Sequence, residues 1–207
     1  MFDVRKITEM QHQAVDRWHR QAIDNPYDGL LEVCCTQHGF NFRLWHEEDV
    51  ARSPDAGDLR VALVKRAIDR FNQQRNDWIE GIDDWITEYL TERGIGPELH
   101  AALNTETPGS CIDRLSILAL RLYHLDEQLQ RSDVDAAHLE SVESKIAVCL
   151  VQHEDLANSL AELLDDIVTG RKRHKTYRQF KMYNDPALNP YLYQSGREPD
   201  APLQKSA

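Results

Sequence analysis

The sequence predicts an all-α protein: a single-domain antiparallel bundle of about five long helices with an extended C-terminal wrap. Two patterns and one absence point there. Leu139, Val142, Ile146, Cys149, His153, Leu156, Leu160, Leu163 and Ile167 follow unbroken 3,4 spacing, the repeat of a helix that packs lengthwise on another. Between Val61 and Leu90 the apolar residues fall within one arc of roughly 140° at 100° per residue. No segment shows the alternation of a half-buried strand.

Breakers divide the chain into its elements. A first helix is expected from about Val4 to Asp24, stopping before Asn25-Pro26-Tyr27-Asp28-Gly29. A second runs from Leu30 to Arg52 and ends at Ser53-Pro54-Asp55-Ala56-Gly57. A third spans Asp58 to Arg93 and is closed by Gly94 and Gly96-Pro97. Ser110-x-x-Asp113 resembles a capping box and opens a fourth helix to Gln130. Ser132 caps a fifth that ends at Gly170. From Thr176 the chain turns aromatic and Pro-rich, which reads as an ordered extended segment. These boundaries give one domain over 1–193 and a disordered tail over 194–207.

A chain of 207 residues can bury roughly 70% of its unfolded surface, so neither disulfides nor metals are needed to hold it. The net charge of −11 argues against nucleic acid or an anionic membrane as partner. The charge is unevenly spread: residues 171–181 (RKRHKTYRQFK) carry six basic residues and no acid. That segment could clamp its own acidic domain or deliver a cation to an anionic ligand. Cys34, Cys35, Cys111 and Cys149 lack CxxC spacing and read as small buried hydrophobes. No signal peptide and no membrane span is apparent, so a cytoplasmic protein is expected.

Polar residues in apolar places mark the candidate site. Lys65, Asp69, Asn72, Asn76 and Asp83 edge the stripe of the third helix, and Asn is a poor choice for a helix interior unless it has polar work to do. The second helix turns His38, Asp49 and Arg52 inward along the seam Leu31, Cys35, His38, Phe42, Trp45. His46 and Asp49, at i and i+3, can share one ligand. Asp49 and Glu48 can equally pair with Arg52. The fourth helix is apolar on two sides, which makes Asp113 and His124 candidates for burial. The loop Asn104–Ser110 precedes a helix N-terminus that could receive an anion or be filled by ordinary capping. Glu140-x-x-Glu143 and Glu162-x-x-Asp165 match a pyrophosphatase pattern, but one uninterrupted helix turns all four away from its seam.

Four blocks in order carry a resemblance: Leu44–Asp49 (LWHEED), Lys65–Asp69 with Asn72–Asp77, Asn104–Leu118 (NTETPGSCIDRLSIL) and Arg178–Pro190 (RQFKMYNDPALNP). Over about residues 5–193 the chain resembles a bacterial family known only as a domain of unknown function. The resemblance implies an all-helical cytoplasmic protein, encoded near glycosyltransferases of envelope polysaccharide assembly. It implies no catalytic residues.

Three functional readings stay open. The first is binding of, or action on, a small anionic metabolite, a phosphorylated or nucleotide-linked sugar. Its ligand-binding residues would be Arg52, Lys65, Asp69, Asn72, Asn76, Asp113 and Arg114, with His46, Asp49 and His124 as catalytic candidates. The second is an interaction protein, a homodimer through the 133–169 helix. The third is a metal-dependent hydrolase using His46 and Asp49. The pattern itself assigns no metal ligand, and the cofactor is unknown.

Overall fold

Asp3 accepts hydrogen bonds from the backbone N–H groups of Arg5 (3.1 Å) and Lys6 (3.4 Å) and so opens α1, Val4–Trp18. This computed structural model describes residues 2–194. The remaining long helices are α2 (Gly29–Arg52), α3 (Asp58–Glu92), α4 (Pro108–Leu129) and α5 (Ala136–Val168), and the all-α class expected from the sequence is what the chain adopts. A two-residue parallel pair joins β1 (Ala102–Leu103) to β2 (Lys172–Arg173), with Ala102 opposite Lys172. No periodicity foretells a ladder that short.

α2 and α3 form a hairpin, α5 lies along α4, and α1 contacts α2, α4 and α5. The stripe of α3 does what its spacing demands: Val64, Ile68, Ile79, Ile82, Ile86 and Leu90 are buried. The α5 seam likewise buries Val142, Cys149, Leu160, Leu163 and Ile167. α4 is covered nearly all round from Pro108 to Leu120 and sits at the centre. Glu140, Glu143, Glu162 and Asp165 are exposed on α5, as are Val148, Leu150 and Val151.

Three boundaries differ from expectation, each for a tertiary reason. α1 stops six residues early, because Arg17 Nε and Trp18 Nε1 donate to Asp24 at 2.8 and 2.9 Å and draw the following loop back on the helix. α4 starts at Pro108 rather than Ser110. Its cap is Thr107, whose Oγ1 accepts from Ser110 N at 3.1 Å, with Pro in the first turn. α5 is capped by Asp135, not Ser132, through His138 N at 2.8 Å. It closes at Gly170, whose φ of +80° favours glycine.

The start of α4 is pressed onto α3. Gly109 N donates to Asp83 Oδ1 at 2.8 Å. A Cβ at Gly109 would lie well inside contact distance of the Ile79 carbonyl oxygen and 3.0 Å from the Asp83 carboxyl. The replacement Gly109→Ala is therefore expected to force the two helices apart and lower stability by about 1–3 kcal/mol, read as a lower urea midpoint. A loss under about 0.5 kcal/mol would show that α3 yields there.

Residues 171–176 clamp their own domain. Arg171 pairs with Asp165 (2.6 Å) and Asp166 (2.7 Å), and Lys172 with Asp166 (3.5 Å). Arg173 Nε donates to Ala101 O at 3.2 Å, His174 Nε2 to Asp83 O at 2.8 Å, and Thr176 Oγ1 to Asp84 at 3.0 Å. One compact unit ends at Tyr177, inside the 1–193 domain expected from the sequence. In the second, a 3₁₀ turn at Met182–Asn184 and a short α6 (Pro190–Tyr193) interrupt the segment expected to be extended. The expected disordered tail from 195 onward lies outside the described residues.

Candidate functional site

Asp113 is 5% exposed, on the first turns of α4, and three side chains from two other helices close on it. Gln37 Nε2 and Asn41 Nδ2 of α2 donate to Oδ1 at 2.6 and 2.9 Å. Arg75 of α3 forms a bidentate pair, Nε to Oδ1 at 2.7 Å and Nη2 to Oδ2. This hydrogen bonding raises the Arg75 pKa against the opposing effect of its own burial.

The network continues inward. Asn41 Nδ2 also donates to Ser116 Oγ at 2.8 Å. His38 Nε2 faces the Gln11 carbonyl at 3.0 Å and must donate to it, so Nδ1 is the acceptor for the Ser116 hydroxyl at 2.6 Å. Gln11 Nε2 then donates to Ile112 O at 3.1 Å. Ser116 and His38 have the spacing of a nucleophile and its base, but both are 0% exposed and no substrate can reach them. Burial pushes the His38 pKa down to about 3, so the ring is neutral. The four cysteines are also buried, and burial pushes Cys35 up to about 12 and Cys111 to about 11. These are unreactive thiols.

The outer side of this network forms the floor of a cleft of about 380 Å³ between α2, α3 and α4. Asn41, Asn72 and Arg75 line it with Glu48, Asp49 and Arg52, beside the apolar Leu44, Trp45, Ile117 and Leu120. Arg52 is tied to Glu48, at 2.8 Å to the carbonyl and 2.5 Å to the carboxylate. Another cleft, of about 420 Å³ between the start of α1 and the end of α5, is lined by Phe2, Val4, Ala161, Leu164 and Val168 beside three charged residues. Its acids are engaged, Asp3 as a helix cap and Asp165 with Arg171.

Of the residues singled out from sequence, Asp49, Arg52 and Asn72 meet at the cleft, with Asp113 beneath Arg75. Asn76 is buried nearby on α3. Lys65 and Asp69 face each other at 3.7 Å on an exposed turn, and Arg114 pairs with Glu106 at 3.2 Å on the surface. None of these three lines the cleft. The donors at the start of α4 are occupied by Thr107 and Asp83, which is capping rather than an open anion site. Gln37, Asn41, Arg75 and Ser116 were not singled out beforehand. Their signal was faint: two amides at i and i+4 on either side of His38, and an arginine between Asn72 and Asn76.

His46 and His124 come together with a third histidine that the sequence did not single out. They meet His19, the C-cap residue of α1, and one nitrogen from each of the three rings lies within 4.8 Å of the others. His19 Nδ1 donates to Val15 O at 2.7 Å and His46 Nδ1 to Phe42 O at 2.8 Å. His124 Nδ1 donates to Glu127 Oε2 at 2.7 Å. The His19 and His124 Nε2 atoms are buried without a hydrogen-bond partner. His124 stacks on Trp45 at 4.8 Å, so this cluster abuts the cleft. Burial, with smaller contributions from His19 and His46, holds the His124 pKa below the ordinary imidazole value against the pull of Glu127.

Among the described residues no helix is long and apolar enough to cross a membrane. No curated protein and no solved structure matches the chain. A family model described as "Protein of unknown function (DUF4254)" matches residues 31–176. That range takes in the cleft, His46, His124 and three of the four sequence blocks, and leaves out His19 and the block at Arg178–Pro190. The chain belongs to the DUF4254 family of proteins of unknown function.

Proposed function

We propose that the α2–α3–α4 cleft binds a small anionic metabolite that also carries hydroxyls, a phosphorylated or nucleotide-linked sugar. The observation behind this is the fixed Arg75 guanidinium. Its two bonds to Asp113 use two of its five donors, and the residue lines the cleft. A preorganised fork costs little entropy on binding.

Charge balance narrows the ligand. Asp113 offsets the charge of Arg75 and Glu48 that of Arg52, so neither arginine offers a full unscreened charge to a bare phosphate. What the lining offers instead is direction: an amide at Asn72, carboxylates at Glu48 and Asp49, and an indole at Trp45. Hydroxyls suit such carboxylates and amides, which donate and accept at fixed positions. A sugar ring also has an apolar face that suits Trp45. A ligand with both a sugar and a phosphate uses the whole lining, with its phosphate on the arginine side.

The test is a thermal-shift panel of nucleotide-linked sugars, hexose phosphates, nucleotides and inorganic phosphate. A compound at 100 times its Kd stabilises by about 2.7 kcal/mol, which for a chain this long raises Tm by roughly 5–10 °C. The Arg52→Ala variant removes one charged hydrogen-bond partner and is expected to weaken binding by about tenfold or more. A response to inorganic phosphate equal to that of the sugar compounds would argue against the sugar. No response to any of them would remove the reading.

A further inference from the structure

We propose that His19, His46 and His124 form a binding site for one divalent transition-metal ion, Zn²⁺ in the first place. The three residues come from the C-cap of α1, the last third of α2 and the last third of α4, so only the folded bundle assembles them.

The argument starts from the protons. Carbonyl and carboxylate oxygens only accept, so each Nδ1, held by Val15 O, Phe42 O or Glu127, carries the hydrogen. The lone pair of every ring is therefore on Nε2. Neutral imidazoles with Nδ1–H anchored on a carbonyl or carboxylate, and Nε2 left over, are the form in which histidine ligates metals. Glu127 also contributes a negative charge behind His124.

Two of the lone pairs are sealed from solvent with nothing to accept from, and a buried unsatisfied polar atom is normally eliminated. Aromatic rings wall the cluster: Tyr123 stacks on His19 at 4.1 Å, Trp45 on His124 at 4.8 Å, and Phe42 lies 4.4 Å from His46. That shell fixes the ring planes and lowers the local dielectric. A cation joining the three nitrogens would satisfy them together.

The dimensions are close to those required. A tetrahedral ion bound at about 2.1 Å sets its nitrogen ligands about 3.4 Å apart. One nitrogen from each ring lies within 4.8 Å of the others, so the separations need to shorten by about 1.4 Å at most. Three imidazoles leave the fourth position for water or a ligand. All-nitrogen ligation of this kind suits Zn²⁺, Co²⁺, Ni²⁺ or Cu²⁺ rather than Mg²⁺ or Ca²⁺, which take oxygen ligands. The site needs no ligand in the neighbouring cleft, and its test is independent of the sugar reading.

The experiment is equilibrium dialysis of the full chain, first stripped with chelator, against Zn²⁺ alone. Co²⁺ substitution serves as a spectroscopic reading of coordination. One Zn²⁺ per chain is expected, with ligand-field bands of low-coordinate Co²⁺ and a Tm rise of roughly 5–10 °C at 100 times the Kd. His46→Ala should weaken binding at least 100-fold. Glu127→Gln, which leaves all three ligands in place, should weaken it 10–100-fold. His100→Ala, at an exposed histidine, should change nothing. Should His19→Ala fail to fold, His46→Ala and Glu127→Gln still decide the matter. The proposal is overturned if folded wild type binds no Zn²⁺, or if both of these variants bind it as well as wild type. It is equally overturned if binding is lost instead on His12→Ala, in the separate His12–His153 pair.

Discussion

Replacing Asp113 by alanine is expected to lower stability by about 3–5 kcal/mol, the range found when one partner of a buried ion pair is removed. Three side chains lose their acceptor at once: Gln37, Asn41 and Arg75. Gln37 and Asn41 are 0% and 4% exposed, so their donors cannot turn to water. Arg75 is better placed, with its side chain 25% exposed at the cleft, and part of its loss is recovered by solvent. Asp113→Asn keeps the volume and one acceptor oxygen, and should cost less, about 1.5–3 kcal/mol. Urea unfolding of the two variants, with Arg75→Ala and the double variant closing a cycle, measures the coupling directly. A loss below 1 kcal/mol for Asp113→Ala would mean that the network does not hold the three helices together.

Acid should unfold the protein well before its carboxylates are fully protonated, and His38 is the main reason. Its pKa in the fold is about 3, whereas an unfolded histidine titrates near 6.5. Below pH 6.5 the unfolded chain takes up a proton that the folded chain refuses until about pH 3. The unfolded state thus binds more protons across this window, and stability falls as pH falls through it. Above about pH 7 nothing is lost. The slope approaches 1.4 kcal/mol per pH unit, for a total of up to about 5 kcal/mol.

Other groups modify the slope. His12, His124 and His153 are also held low by burial and act in the same direction. Asp83 opposes them: burial raises its pKa, so the fold accepts that proton first. Urea midpoints between pH 7 and pH 4 test the sum. His38→Gln, which retains a donor for the Gln11 carbonyl, should flatten the curve by up to 1.4 kcal/mol per unit. A wild-type midpoint that stays constant from pH 7 to pH 5 would contradict the buried neutral imidazole.

α3 and α5 are legible in the sequence because each has an apolar stripe that only the helical period fits, whereas α2 and α4 are marked chiefly by the breakers that bound them. The seams of α3 and α5 turn inward as their spacing demands, the α5 seam being half-buried at Leu139, Ile146, His153 and Leu156. Helix ends were less legible, because the decisive partners lie outside the helix. Nothing local distinguishes Asp24 as the acceptor that turns the chain back after Trp18, and Asp83 reaches the start of α4 across 26 residues.

The candidate site divides on the same line. Polar residues intruding on an apolar stripe pointed to Asp113 and Asn72, since burying them demands partners. Lys65, Asp69 and Arg114 carry the same chemistry on exposed turns, where pairing with a neighbour is enough. The pairing of His46 with Asp49 followed from i, i+3 spacing alone. Helix packing also joins His46 to His19 and His124, 27 and 78 residues away in sequence, and no local spacing encodes that meeting.

The claim that the α2–α3–α4 cleft is a binding site is tested most directly by amide hydrogen exchange with and without a saturating nucleotide-linked hexose. The account predicts slowed exchange concentrated in Asn41–Arg52, Asn72–Arg75 and Ile117–Leu120, the segments that line the cleft, with α5 unchanged. Protection confined to other segments, or none at a concentration that raises Tm, would contradict it.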